Sequence, residues 1–141
     1  MRDEPLERRM MNWSEQMQSL MDTASFISRC DVIDIHFDNG HVREVYLASK
    51  VEDRQQGLAG LPSLDTDGML FVFASPSYVP FDMSNMLFDL EIAWYDHQGT
   101  LLATKLCHAG DTVPVCSPQS FSYVLEAPVG TIPTTNLKVR Y

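Results

Sequence analysis

Residues 67–95, DGMLFVFASPSYVPFDMSNMLFDLEIAWY, place two apolar runs on either side of a proline-punctuated loop. In the second run Phe88, Leu90, Ile92 and Trp94 alternate with Asp89, Glu91, Ala93 and Tyr95. A period of two is that of a β-strand, with one face on a core and the other towards water or a partner. The first run, Met69 to Phe73, is apolar at every position and bounded by Gly68 and by Ser75-Pro76. It is too short for a helix and reads as a strand buried on both faces. The centre of the chain is therefore β, and the remainder reads as cover for this pair.

Downstream, Asp96-His97-Gln98-Gly99 is a turn with Gly99 in the left-handed position, and Leu101 to Cys107 is the returning strand, with Trp94 and Leu102 on adjacent antiparallel strands. Residues 109–119 form a loop. Phe121, Tyr123 and Leu125 alternate with Ser122, Val124 and Glu126 as another strand, and Leu137, Val139 and Tyr141 end the chain as an edge strand. Upstream, Asp31 to Asp38 and Val42 to Ala48 flank Asn39-Gly40, the dipeptide favoured in a type I′ hairpin turn. That register pairs Phe37 with Val42 and Ile33 with Tyr46 but sets Ile35 against Glu44, so a bulge near Arg43 is expected. Lys50 to Leu58 is a short helix stopped by Gly57 or Gly60, with Pro62 barring continuation. The expected core gathers Phe71, Phe73, Leu90, Ile92, Trp94, Leu102, Tyr123 and Leu125.

Leu6, Met10, Trp13, Met17 and Leu20 recur at spacings of four, three, four and three, the stripe of an amphipathic helix. It is too short for a self-standing coiled coil and needs a host, either the chain's own β domain or a protein partner. The fold expected is mainly β: a small antiparallel barrel or sandwich-like domain over residues 29–141 with one short helix, preceded by a helical extension over residues 1–28.

The chain has 141 residues, 45% of them hydrophobic, enough for one domain with a core. A net charge of −9 with no cluster among its ten Lys and Arg excludes nucleic acid and anionic membrane as main partners. Cys30, Cys107 and Cys116 are odd in number and lack Cys-x-x-Cys spacing, which predicts reduced thiols, with neither a disulfide framework nor a zinc knuckle. Without a secretory signal or a run long enough to span a bilayer, the expected location is the cytoplasm, or a virion if the chain is phage-encoded. Asp34, His36 and Asp38 share one strand face and read as a solvated carboxylate-rich surface, so no metal is expected. No phosphate loop, nucleophile elbow or His-Glu-x-x-His is present. Cys107 and His108 are neighbours on a strand and point to opposite faces, which argues against a cysteine hydrolase. No catalytic residue and no cofactor are expected.

The blocks VEDRQQGLAGL (51–61), DGMLFVF (67–73), FDMSNMLFDLEI (81–92) and YVLEAPVG (123–130) together resemble domain-of-unknown-function family 192, over about residues 31–141. The resemblance implies a compact, mostly antiparallel β-barrel-like domain with one short helix and no known activity. It picks out Arg54, with Gly57 and Leu58, in the first block, Gly68 and Met69 in the second, Met83 and Asn85 in the third, and Glu126 in the last. The third block departs from the family pattern: Asp82 and Ser84 stand where the family shows Trp and Lys, removing a cation and adding a carboxylate.

Arg54 and Glu126 are the polar pair to follow. One reading makes them a buried ion pair tying the helix to the barrel; the other makes Arg54, Met83, Asn85 and Glu126 a ligand-binding pocket. Two functions are then open. The first is a non-enzymatic, oligomeric or partner-bound subunit of a larger assembly such as a phage particle, docking through the Leu6 to Leu20 stripe and the outer strands. The second is a small-ligand-binding module.

Overall fold

The structure, a computed structural model, describes Ile27 and residues 30–139. The Leu6 to Leu20 stripe, and with it the expected N-terminal helix, lies outside the described residues. Six strands, β1 (Val32–His36), β2 (Val42–Ala48), β3 (Met69–Ser77), β4 (Leu90–Tyr95), β5 (Leu101–Cys107) and β6 (Phe121–Ala127), and one helix, α1 (Val51–Gln56), make up the domain. The strands form one sheet in the order β1-β2-β3-β6-β4-β5. The domain is mainly β with one short helix, as expected, but the expectation of antiparallel pairing fails at one place. β2 and β3 run parallel, Tyr46 opposite Met69 and Ala48 opposite Phe71. Parallel neighbours need a crossover, and residues 49–68, which contain α1, supply it.

The sheet is open, with β1 and β5 at its edges. Its barrel-like character comes from the C-terminal segment. Asp38 N donates to Asn136 O and Lys138 N to His36 O on the β1 side, while Leu137 N donates to Gly99 O beside β5. Leu101 N donates to the Asn136 Oδ1 as well. The expected final strand is thus a single bridge, Phe37 to Leu137, flanked by these bonds. Gly99, at φ +87°, is where this segment approaches closest: a Cβ there would collide with Leu137 O.

The N-terminal hairpin differs from expectation by one residue. His36 lies opposite Val42 and Ile33 opposite Val45, with five regular pairs and no bulge at Arg43. The loop is Asp38-Asn39-Gly40: Phe37 N donates to His41 O and Gly40 N to Phe37 O, with Gly40 at φ +89°. A type I′ turn requires positive φ at both central residues, and no described non-glycine residue has it. Asn39 instead accepts a bond from His41 N through its side chain. A one-residue slip exchanges the faces of a strand, so Val45 replaces Tyr46 opposite Ile33 and shares a core with Ile35.

β3 continues to Ser77, beyond the expected Phe73, through a register shift between Val72 and Ser77. Pro76, with no N–H to offer a ladder, falls inside that shifted stretch. β4 begins at Leu90, not Phe88. Its second face is not solvated either: Ala93 and Tyr95 are as buried as Ile92 and Trp94. The reason is cover on both faces: Ile92 and Trp94 belong to one core and Ala93 and Tyr95 to the other. The single expected core is accordingly two. Phe71, Leu90, Ile92 and Trp94 form one with Leu58, Met83 and Val124, against which Phe73 and Leu102 pack. Leu125, with Tyr123 against it, belongs to the other, with Ile35, Phe37, Leu70, Tyr95 and Leu137.

Candidate functional site

α1 buries none of its six residues. It is held on the sheet by the residues after it, since Gly57 ends the helix by donating to Asp53 O and Leu58 and Leu61 then enter the core. At φ 52° and ψ −139° Gly57 turns the chain in a conformation that side chains disfavour, and its Cα faces the Phe71 ring. Opposite this turn, residues 77–86 cross the same sheet face. Two bonds between Phe81 and Val115, one from Gly110 N to Met83 O and one from Gly60 N to Asn85 O, pin that segment. Met83 and Met86 anchor it in the core.

Between α1 and this segment lies a cavity of about 530 Å³. Its aromatic lining comes from Phe71, Phe73 and Phe81, and its polar lining includes Arg54, Asp82, Asn85 and Glu126. Three of the four residues proposed as ligand-binding from the sequence, Arg54, Asn85 and Glu126, therefore meet in one cleft. Met83 does not: it is 1% exposed and serves the core beneath the loop. The rings are ordered by mutual contacts, Phe71 with Phe81 at 5.2 Å and Phe73 with Phe121 at 5.4 Å between centroids, both edge to face.

The expected Arg54 to Glu126 ion pair is absent among the described residues. Arg54 Nη1 donates to Ser49 O at 2.6 Å and Val72 O at 3.1 Å, and its guanidinium carbon lies 4.7 Å from the Phe73 ring centroid. These carbonyls stand where β2 ends and β3 leaves its parallel partner, so the guanidinium satisfies backbone acceptors there. Glu126 sits in the middle of the sheet, opposite Met69 on β3 and Ile92 on β4, with 5% exposure. No described residue donates a hydrogen bond to its side chain, and burial pushes its carboxyl up to about 8. Near neutral pH it is mostly a neutral acid on an apolar floor.

The surface corner at Asp89 is the counterpart. Its carboxylate accepts from Ala109 N at 2.8 Å and faces His108 Nδ1 at 3.3 Å, and these bonds hold it below the usual carboxylate range. His108 thus pairs with Asp89 and not with Cys107, whose buried thiol is pushed up to about 11 by desolvation first and then by Glu126. No group of three His, Cys, Asp or Glu able to hold a metal occurs among the described residues. Nor is any described helix long and apolar enough to cross a membrane.

Phe81 is the cleft residue missed in the sequence, while Asp82 was marked there only as a departure from the family pattern; both lie in a loop where periodicity carries no information. Their signal was the Pro80 before them, which marks an ordered turn more than a flexible link. Phe73 was placed in the core; the structure puts it in the cleft wall as well.

The fold and this cleft define a small mainly-β domain with a pocket lined by aromatic rings and by the Glu126 side chain. The family model DUF192, described as an uncharacterized ACR, matches residues 32–140, and the chain belongs to that family. Two solved structures share the fold. One is a protein of unknown function from Novosphingobium aromaticivorans DSM 12444, with TM-score 0.67 and 22% identity over 79% of this chain and 85% of that one. The other, from Sinorhizobium meliloti 1021 and described as "a putative transcription regulator", has TM-score 0.62 and 23% identity over 74% of this chain and 89% of that one. At such identities the likeness is one of fold. No curated protein matches the chain significantly.

Proposed function

We propose that the domain is a non-catalytic binding module that seats a small molecule in the cleft between α1 and residues 77–86. One observation carries this reading: Glu126, 5% exposed as a residue and with desolvation alone acting on its carboxyl among the described residues, lines a cavity of about 530 Å³. A buried polar group without a partner costs on the order of 1–3 kcal/mol, and a ligand that satisfies it recovers that loss. Binding without chemistry is favoured because the nearby thiol of Cys107 is buried and pushed away from its nucleophilic form. The test is a fragment screen by NMR on the full chain. Binders should perturb amides of Gly57, Phe81 and Glu126 together, and a screen whose hits all map elsewhere sinks the reading.

Attachment to a larger assembly is the second reading. Within the described region it is favoured by exposed apolar side chains: Tyr78 at 71%, Val113 at 67% and Leu106, on edge strand β5, at 49%. Gathered into one patch, such side chains would serve a protein partner. Cys30, Cys107 and Cys116 form no disulfide with one another, which fits a reducing compartment, and we infer a location in the cytoplasm or in a particle assembled there. Light scattering on the full chain and on a variant lacking residues 1–25 checks it. The full chain should oligomerise or bind its partner, and the truncated one should not while its sheet stays folded.

A further inference from the structure

Three features meet at the cleft floor. Glu126 as a residue is 5% exposed and lines the cavity, and among the described residues desolvation alone acts on its carboxyl. The walls near it are aromatic, Phe71 and Phe81 in edge-to-face contact and Phe73 beside them. The cation lining the cleft, Arg54, is already committed to two carbonyls and the Phe73 ring, while Asp82 adds a second carboxylate. We infer that the cleft takes an organic cation, an ammonium group joined to an aryl or alkyl body, with the ammonium on the Glu126 carboxylate and the body against Phe71 and Phe81. This rests on the small-ligand reading of the same cleft.

An ammonium supplies both things Glu126 lacks among the described residues, hydrogen-bond donors and a paired opposite charge, in a place where water screens the pair weakly. Ring faces carry negative charge density and attract the same group. An anion would meet the Asp82 carboxylate and, once Glu126 has lost its proton, a second one, while the Arg54 guanidinium keeps its charge but has Nη1 held by the Ser49 and Val72 carbonyls.

The geometry also sets the proton balance. In the free protein Glu126 holds its proton until about pH 8, and seating an ammonium on the carboxylate releases that proton to the buffer. The other titratable or charged groups around it are Arg54 from α1, Asp82 from residues 77–86 and Cys107 from β5, whose thiol, pushed up to about 11, stays neutral throughout. Its ladder neighbours Met69 on β3 and Ile92 on β4 bring no charge. Affinity for a permanently protonated amine should then rise about tenfold per pH unit up to pH 8 and level off above it.

Benzylamine, protonated through this range, is the probe, with benzyl alcohol and benzoate as neutral and anionic counterparts. Each is titrated into the full chain by NMR at pH 6, 7 and 8, and proton release is counted by calorimetry in two buffers of different ionisation heat. Benzylamine alone should shift the Gly57, Phe81 and Glu126 amides, tighten about tenfold per unit and release close to one proton at pH 7, and Glu126→Gln should remove the pH dependence. Binding of benzoate or benzyl alcohol at those amides without benzylamine overturns the cation but leaves the cleft a ligand site. Benzylamine binding with no proton released also overturns the inference, and this readout needs only the wild-type protein. Silence from all three probes removes both the cation and the small-ligand reading.

Discussion

On one face of the sheet Ile35, Val45, Leu70, Tyr95 and Leu125 lie beneath the returning C-terminal segment, with Ile132 and Leu137 packed among them. On the other, Phe71, Ile92 and Val124 lie beneath α1 and residues 77–86, and a cavity of about 530 Å³ is left between. The difference lies in the cover. An extended segment bonded at residues 136–138 can follow the sheet and interdigitate with it. A six-residue helix spans only about 9 Å, and one that buries none of its own side chains must leave space beside it. A filled face contributes stability, and a face with space and a carboxyl on its floor can bind.

The sharpest way to break that comparison is to remove the same kind of bulk from each side. Leu125→Ala, on the filled face, should cost about 3–5 kcal/mol in denaturant unfolding, because the residue is fully buried and its neighbours cannot collapse into the void. Phe81→Ala, on the cleft wall and half-buried, should cost less than half as much, since its void joins an existing cavity. Equal losses would show that the two faces are packed alike.

The next effect is pH-dependent. Glu126 is raised in the folded state from 4.5 to about 8, so the folded protein keeps a proton that the unfolded chain gives up. Stability that is fully present below pH 4.5 should therefore fall as pH rises towards 8, by on the order of 1 kcal/mol per unit, and flatten above. Glu126→Gln should abolish this slope. Melting curves for both proteins across the range decide it, and a wild type as stable at pH 8 as at pH 5 contradicts the neutral buried acid.

The smallest effect comes from the filled face, where Tyr95 is 0% exposed and its hydroxyl has no described partner. Tyr95→Phe removes an unpaired polar atom without changing shape much. It should leave stability unchanged or raise it by about 1 kcal/mol. A loss of that size would reveal a partner for the hydroxyl.

Features set by neighbouring residues were legible in the amino-acid order alone. Alternation placed β6, Gly99 marked the β4–β5 turn through its need for positive φ and with it the returning strand β5, and Gly57 with Pro62 bounded α1. Asn39-Gly40 announced a hairpin, but whether its loop has two residues or three depends on the φ of Asn39, and composition is nearly silent on that. The candidate site was legible as residue types and not as a geometry: Arg54, Asn85 and Glu126 do share a cleft, while Met83 is its foundation and Phe81 and Asp82 enter from a loop without periodicity.

Sequence by itself determined the local elements of this protein, because strand period, turn chemistry and helix stops act over a few residues. Only tertiary structure decided the parallel pairing of β2 with β3, the burial of both faces of β4 and the split of one expected core into two, since each depends on which distant strand arrives alongside. The same holds for Arg54 and Glu126. Opposite charges in sequence suggest a pair, but the carbonyls of Ser49 and Val72 are nearer claims on the guanidinium, and Glu126 is left on an apolar floor where losing its proton is costly.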